Sequence, residues 1–112
     1  PSDPETGHII KAAAIAAMQT TAVSVNTARG DLIDTKALAA ALTEGRLGGA
    51  ALDVFETEPL PDNDPLRAAP NLILTPHSAW YSQGAIARLQ TLAADEIARA
   101  LSGRPPRRAV PA

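Results

Sequence analysis

Along the chain, short apolar runs alternate with longer stretches in which apolar residues recur every three or four positions. From Ile9 to Met18, alanines with Ile15 and Met18 at helical spacing predict a short helix, with Pro4 upstream of it. Ala22 to Asn26 switches to the extended type. Asp34 is a predicted N-cap for a second helix, Thr35 to Glu44, whose Leu38, Ala41 and Leu42 form one apolar face and whose stop is Gly45. Gly49 to Asp53 follows as a short buried strand. Prolines at 59, 61, 65 and 70, mixed with Asp and Asn, exclude regular structure between Glu56 and Pro70 beyond one turn begun by Asp64-Pro65. Asn71 to Thr75 is the third strand, ended by Pro76, which cannot continue a strand interior and so displays His77 on a turn. Ser82 caps a long final helix to Ser102, with Ile86, Leu89, Ala93, Ile97 and Ala100 on one stripe and Gly103 then Pro105 as its stop.

Short apolar strands alternating with helices indicate a parallel sheet of the α/β class. In an open parallel sheet, ligands bind outside the carboxyl ends of the strands. Each of the three strands ends there in a polar cluster: "VNTARG" around Arg29, "LDVFETEP" around Asp53, Glu56 and Glu58, and "LTPHSAW" around His77.

Composition narrows the reading. At 112 residues the chain holds one small domain at most, or part of a larger one. It begins with Pro1 rather than Met, and three strands with none before them leave sheet edges bare, so a fragment is the expectation. Cysteine is absent, which excludes disulfides and thiolate metal sites and fits a reducing compartment; no metal site is expected, and the cytoplasm is the expected location. No apolar run is long enough to cross a membrane. Ten Lys plus Arg against 12 Asp plus Glu give a formal net charge of -2, so no direct nucleic-acid partner is expected. Arg104, Arg107 and Arg108 beside prolines read first as a solvated tail.

The residue types at the three clusters define a chemistry. Arg29 offers a planar fork of donors suited to a carboxylate. His77 can carry a proton to or from an alcohol near neutral pH, and a neighbouring Glu would favour its protonated form and fix its tautomer. Together they suit a redox step in which hydride leaves or joins a carbon while His77 manages the hydroxyl proton. Asp53 could accept from an amide or ribose donor. Taken singly, Arg29 is a solvated turn residue, Asp53 a turn anchor, Glu56 and Glu58 surface carboxylates, His8 a surface or helix-end histidine, and Trp80 and Tyr81 packing residues. All three aromatics, Phe55 included, lie beside candidate site residues, and that clustering lifts the joint reading above its parts.

The stretch "VNTARGDLIDTKALAAALTEGRLGGAALDVFETEPLP" followed by "PNLILTPHSAW" resembles the C-terminal half of the nucleotide-binding domain of the D-isomer-specific 2-hydroxyacid dehydrogenases, and "DPETGHII" extends the resemblance to nearly the whole chain. The resemblance implies a partial Rossmann-like sheet over residues 1–112, with 82–102 a long helix returning towards a substrate domain that is mostly absent. It implies Arg29 as the residue binding the substrate carboxylate and carbonyl, His77 as the acid/base and Glu58 as its carboxylate partner. It also implies Asp53 at the nicotinamide amide, and Thr27 and Ala28 lining the nicotinamide pocket of NAD, with NADP not excluded. The formate dehydrogenase branch has Gln where this chain has Glu58, which argues against formate. "HSAWYS" is similar to the C-terminal binding protein branch, where the Trp matching Trp80 faces the substrate pocket.

The implied activity is interconversion of a D-2-hydroxy acid and a 2-keto acid by NAD(P), in a homodimer. The alternatives are an NAD-sensing corepressor-like binding protein or an inactive truncated product. The glycine-rich phosphate turn of dinucleotide-binding domains is not in these 112 residues: "GRLGGA" follows a helix and leads into a strand, the wrong context. The isolated chain is therefore expected to hold NAD poorly.

Overall fold

The computed structural model describes residues 7–107. In order along the chain, α1 (Ala12–Ala16) leads to β1 (Val23–Asn26), a 3-10 turn at Gly30–Leu32, α2 (Thr35–Thr43) and β2 (Gly49–Leu52). A second 3-10 turn at Pro65–Ala68, β3 (Leu72–Leu74) and α3 (Gln83–Leu101) complete it. The chain divides into two compact units that part between Ala79 and Trp80.

In the first unit the three strands form a parallel sheet in the order β1-β2-β3, with Val25 beside Ala51 and Ala51 beside Ile73. Helix α2 begins as expected: the Asp34 carboxylate accepts from the Ala37 amide at 3.0 Å, satisfying one of the orphan donors of the first turn. It stops where Gly45 takes φ +66°, a conformation glycine adopts without a Cβ clash. Its apolar face is wholly buried at Leu38, Ala39, Ala41 and Leu42. Together with Ile15, Leu47, Leu52 and Leu66 these residues make the core, and each buried leucine contributes about 1.5–3 kcal/mol relative to exposure.

Two features depart from the sequence expectation. The first helix is only Ala12–Ala16, because His8 and Ile10 are drawn into backbone hydrogen bonds with Asp31 and Leu32, and Ile10 bridges Ile33 in parallel; a backbone used that way cannot also be helical. Strand β1, expected only to be extended, buries its polar rather than its apolar residues. Ser24 and Asn26 face inward, while Val23 and Val25 are 66% and 67% exposed. The strand period of two leaves one choice of register, and the inward turn of Asn26, whose side chain ties the next turn, forces the valines outward.

In the second unit Ser82 caps α3 through the Ala85 amide, and Gly103, at φ +69°, ends it as expected. Leu89, Leu92, Ile97 and Leu101 are exposed along it. Arg107 is not simply solvated: its guanidinium meets Asp95 at 3.2 Å and Glu96 at 3.4 Å, and Arg99 donates to the Pro105 carbonyl, so the tail folds onto the helix end. Arg108 lies outside the described residues. Among the described residues no helix is long and apolar enough to cross a membrane, and no cluster of His, Cys, Asp and Glu could hold a metal.

Candidate active site

The turn after β1 is built around Asn26. Its side-chain oxygen accepts from the Ala28 amide at 3.0 Å, and its amide nitrogen donates to the Arg29 carbonyl at 2.8 Å. The side chain, 6% exposed, thereby substitutes for backbone partners across the turn and presents Arg29. The Arg29 guanidinium donates to the Ala28 carbonyl, and among the described residues no carboxylate pairs with it. Gly30 follows, and a Cβ there would lie 1.9 Å from the Phe55 carbonyl carbon. Only glycine lets this turn approach the loop after β2 so closely.

That loop and the turn after β3 are joined through Asp53, which is 3% exposed at the end of β2. Its Oδ1 accepts from the Thr75 hydroxyl at 2.5 Å and the Ser78 amide at 2.9 Å, and its Oδ2 from the Ala79 amide at 2.9 Å. The Thr75 hydroxyl is the main cause that holds the Asp53 pKa below its ordinary value, with the Ala79 and Ser78 amides assisting and burial opposing. The Asp53 carbonyl also accepts from the His77 amide at 2.8 Å. His77 sits at φ 52°, in the left-handed region that non-glycine residues adopt at a cost of about 1–2 kcal/mol, and these bonds hold it there.

His77 Nδ1 lies 2.8 Å from Glu58 Oε2, while Glu58 Oε1 accepts from the Phe55 amide at 3.0 Å. The His77 hydrogen bond is the main cause that lowers the Glu58 pKa from its ordinary value, the Phe55 amide the second. Glu58 is therefore the partner of His77, and Glu56 is not. The peptide bond from Glu58 to Pro59 is cis. Glu56 serves elsewhere: its Oε1 accepts from the Thr35 hydroxyl at 2.8 Å and the Thr35 amide at 3.3 Å, at the start of α2, and lies 3.3 Å from His8 Nε2. An acidic side chain suits the positive end of that helix. Glu56 and His8 remain at the surface, where they also link three segments of the chain.

Arg29, Glu58 and His77 line one cleft of about 230 Å³ together with Asp31, Glu56, Gly30, Val54 and Phe55. The Glu58–His77 pair and Phe55 also line a larger cleft of about 340 Å³, with Leu60, Arg67 and Leu74 on its other walls. The three polar clusters expected at the strand ends do converge, because parallel neighbours in register deliver their carboxyl ends to one side. Thr27 and Ala28 are exposed just after β1 and are not among the residues that line either cleft. Trp80 belongs to the second unit, where it is 55% exposed and meets Tyr81 edge to face at 5.4 Å between ring centroids. Sequence reasoning did not single out Asn26, Thr75, Gly30 or Arg67. Asn26 and Gly30 lie inside the quoted "VNTARG"; the bonds of Asn26 are local, to residues two and three positions on, whereas the role of Gly30 depends on Phe55, distant in the chain.

Residues 1–79 match the model of the "D-isomer specific 2-hydroxyacid dehydrogenase, NAD binding domain". Over 106 residues the chain is 46% identical to a glyoxylate reductase of Thermofilum pendens, covering 95% of this chain and 31% of the relative. It is 42% identical over the same length to a glyoxylate reductase of Aeropyrum pernix, covering 32% of that protein. Among solved structures, a protein from Thermus thermophilus is similar with a TM-score of 0.85 and 40% identity, over 99% of this chain and 35% of that one. The NADPH-dependent glyoxylate/hydroxypyruvate reductase of Sinorhizobium meliloti, in complex with NADP and sulfate, is similar with a TM-score of 0.82 and 35% identity, over 98% of this chain and 36% of that one. The chain thus spans about a third of the length of the relatives it matches, and its sheet is part of a Rossmann-like dinucleotide-binding fold.

Proposed function

The chain belongs to the D-isomer-specific 2-hydroxyacid dehydrogenase family, and from that premise we propose that the protein carrying it reduces a small 2-keto acid to the D-2-hydroxy acid through Arg29, Glu58 and His77. One observation carries the reading: those three side chains line a single cleft at the carboxyl ends of three parallel strands, with His77 Nδ1 already engaged by Glu58. Relatives named glyoxylate reductases favour a keto acid of glyoxylate size.

Each residue has a part in that reaction. Arg29, with no carboxylate among the described residues paired to it, is free to receive the substrate carboxylate in its fork and to polarise the adjacent carbonyl. Glu58 holds the Nδ1–H of His77, which leaves Nε2 as the atom that gives its proton to the developing alkoxide. Glu58 also stabilises the imidazolium before that transfer, and its lowered pKa keeps it ionised for the purpose.

The residues present fit one end of the cofactor. Thr27 and Ala28 are exposed just after β1 and suit a flat nicotinamide ring, while Asp53 Oδ2, which takes one bond from the 75–79 turn where Oδ1 takes two, keeps one lone pair for a carboxamide N–H. When bound, NADH or NADPH supplies the hydride. A homodimer, the arrangement expected from the family resemblance, is part of the same proposal.

The test is to purify the full-length product of the gene that encodes this chain and to follow oxidation of NADH and NADPH with glyoxylate, hydroxypyruvate and pyruvate, with sedimentation velocity alongside. Turnover of at least one keto acid, abolished by His77→Gln, is expected. Absence of turnover on all three with both cofactors overturns the reading.

A further inference from the structure

The segment that carries Glu58 poses a structural problem. Pro59 and Pro61 have no amide hydrogen to donate, and no strand or helix runs through residues 56–64; within the loop the Asp64 amide closes one turn onto the Pro61 carbonyl at 3.1 Å, and further ties come from side chains. On its upstream side Glu58 is tied by the Phe55 amide, and Glu56 is tied to Thr35. On its downstream side Arg67 provides the tie. Its Nε donates to the Pro61 carbonyl at 2.9 Å and its Nη2 to the Leu60 carbonyl at 2.7 Å, so one planar guanidinium spans two consecutive peptide groups just past Glu58. The nearest acidic group, Asp62, lies 3.7 Å from Nη2 with its side chain fully exposed, so the carbonyls are the stronger partners.

The guanidinium is itself mounted on a fixed base. Leu66, the residue before it, is 2% exposed in the core, and the Asp64 carboxylate accepts the Leu66 amide at 2.9 Å to start the 3-10 turn. An unbroken path of bonded and packed groups therefore runs from the core through Leu66 and Arg67 to the carbonyls of Leu60 and Pro61, and on to Glu58.

We propose that Arg67 is a positioning residue for the reaction: by clamping the Leu60 and Pro61 carbonyls it keeps the Glu58 carboxylate on Nδ1 of His77. This inference rests on the function proposed above for Glu58 and His77. It departs from the other use that an arginine in the larger cleft suggests, which is capture of an anionic group of the substrate. A guanidinium committed to two carbonyls is a strut, and lysine cannot replace it, because an ammonium is a point charge without the planar fork that spans two acceptors.

The experiment uses the full-length protein with Arg67→Ala and Arg67→Lys, Glu58→Gln serving as the reference for a lost dyad. Two quantities are read: steady-state kinetics with glyoxylate, and the downfield proton resonance of the His77 Nδ1–H, which reports its hydrogen bond to a carboxylate directly. Both Arg67 variants are expected to lose about tenfold in kcat with KM within about twofold, since a small misplacement of a catalytic group lowers the rate without weakening binding, and to shift the resonance towards that of Glu58→Gln. If either variant keeps both kcat and the resonance, the proposal is overturned. It is equally overturned if KM rises while kcat and the resonance stay as they were, which would assign Arg67 to substrate binding. Should Arg67→Ala fail to fold, the lysine variant decides alone. If the unaltered protein reduces no keto acid, the proposed function fails, and the resonance still judges the role of Arg67.

Discussion

After β1 the chain turns over the buried side chain of Asn26, and after β3 it turns over the buried side chain of Asp53, which belongs to the end of β2. In both places one inward polar residue supplies the hydrogen bonds that a tight turn cannot make within its own backbone. The residues displayed are left in different states. His77 arrives already engaged by Glu58, on a backbone held in the left-handed region, whereas the Arg29 guanidinium donates to the carbonyl of its neighbour Ala28 and, among the described residues, has no carboxylate partner. On the function proposed above, a proton donor needs its tautomer set before substrate arrives, and an anion receptor needs its fork open until then. On that proposal the two turns are one structural device serving opposite requirements.

Removing the preset partner should have the largest effect. His77→Gln in the full-length protein is expected to lower kcat by about 10³-fold with little change in KM, because general acid catalysis contributes about 10²–10⁴-fold; steady-state rates on glyoxylate measure it. On the open side of the comparison, Arg29→Lys keeps the charge and removes the fork. It should raise KM and reduce kcat/KM by about 10²-fold, and a kcat/KM unchanged by this substitution would sink the receptor role.

The two buried tethers come next. Asp53→Asn is expected to cost about 30-fold in kcat by loosening the His77 turn. It also carries a pH signature. Because the Thr75 hydroxyl and the Ala79 and Ser78 amides lower its pKa, folding favours the ionised form. Its contribution to stability is present above the unfolded carboxylate value of about 4 and is lost as the pH falls through the lower folded value. Thermal unfolding followed by circular dichroism should show the Asn variant less stable near neutral pH, with the difference shrinking on acidification. Asn26→Ala should reduce kcat/KM by about tenfold, and mainly through KM, if the Arg29 turn binds substrate as proposed.

Smallest of all, Asp34→Ala removes an N-cap of the same chemical kind that tethers no site turn. It should lower stability by about 1 kcal/mol in denaturant unfolding and leave keto-acid kinetics as they are. Loss of activity there would mean that any polar tether in this unit affects the site, and the special standing of Asn26 and Asp53 would be lost.

Most of the architecture was legible in the residues themselves. The cap at Asp34, the stop at Gly45, the break at Pro76 and the stripe of α3 are local events, each decided within a few positions by hydrogen-bonding capacity or φ preference. The first helix was overestimated, because the pull of Leu32 and Ile33 on Ile10 comes from across the fold. The choice of Glu58 over Glu56 was open to the residue types alone and came from the family resemblance; the geometry agrees with it, through a 2.8 Å contact that links residues nineteen apart. The roles of Glu56 and Thr75 were hidden for the same reason, since each is an ordinary surface-type residue until its distant partner is known, and that of Arg67 because nothing in the residue types marks the Pro61 and Leu60 carbonyls as its acceptors.

The 112 residues by themselves determined the α/β class, the three strand ends rich in chemistry, and the candidates Arg29, Asp53, Glu58 and His77, because periodicity, turn residues and side-chain chemistry act over short range. The tertiary structure alone decided which of those candidates touch, which face of β1 is buried, and what holds each turn. Parallel register sets strand ends beside one another regardless of their separation in the chain, and a hydrogen bond exists only where donor and acceptor are brought within about 3 Å.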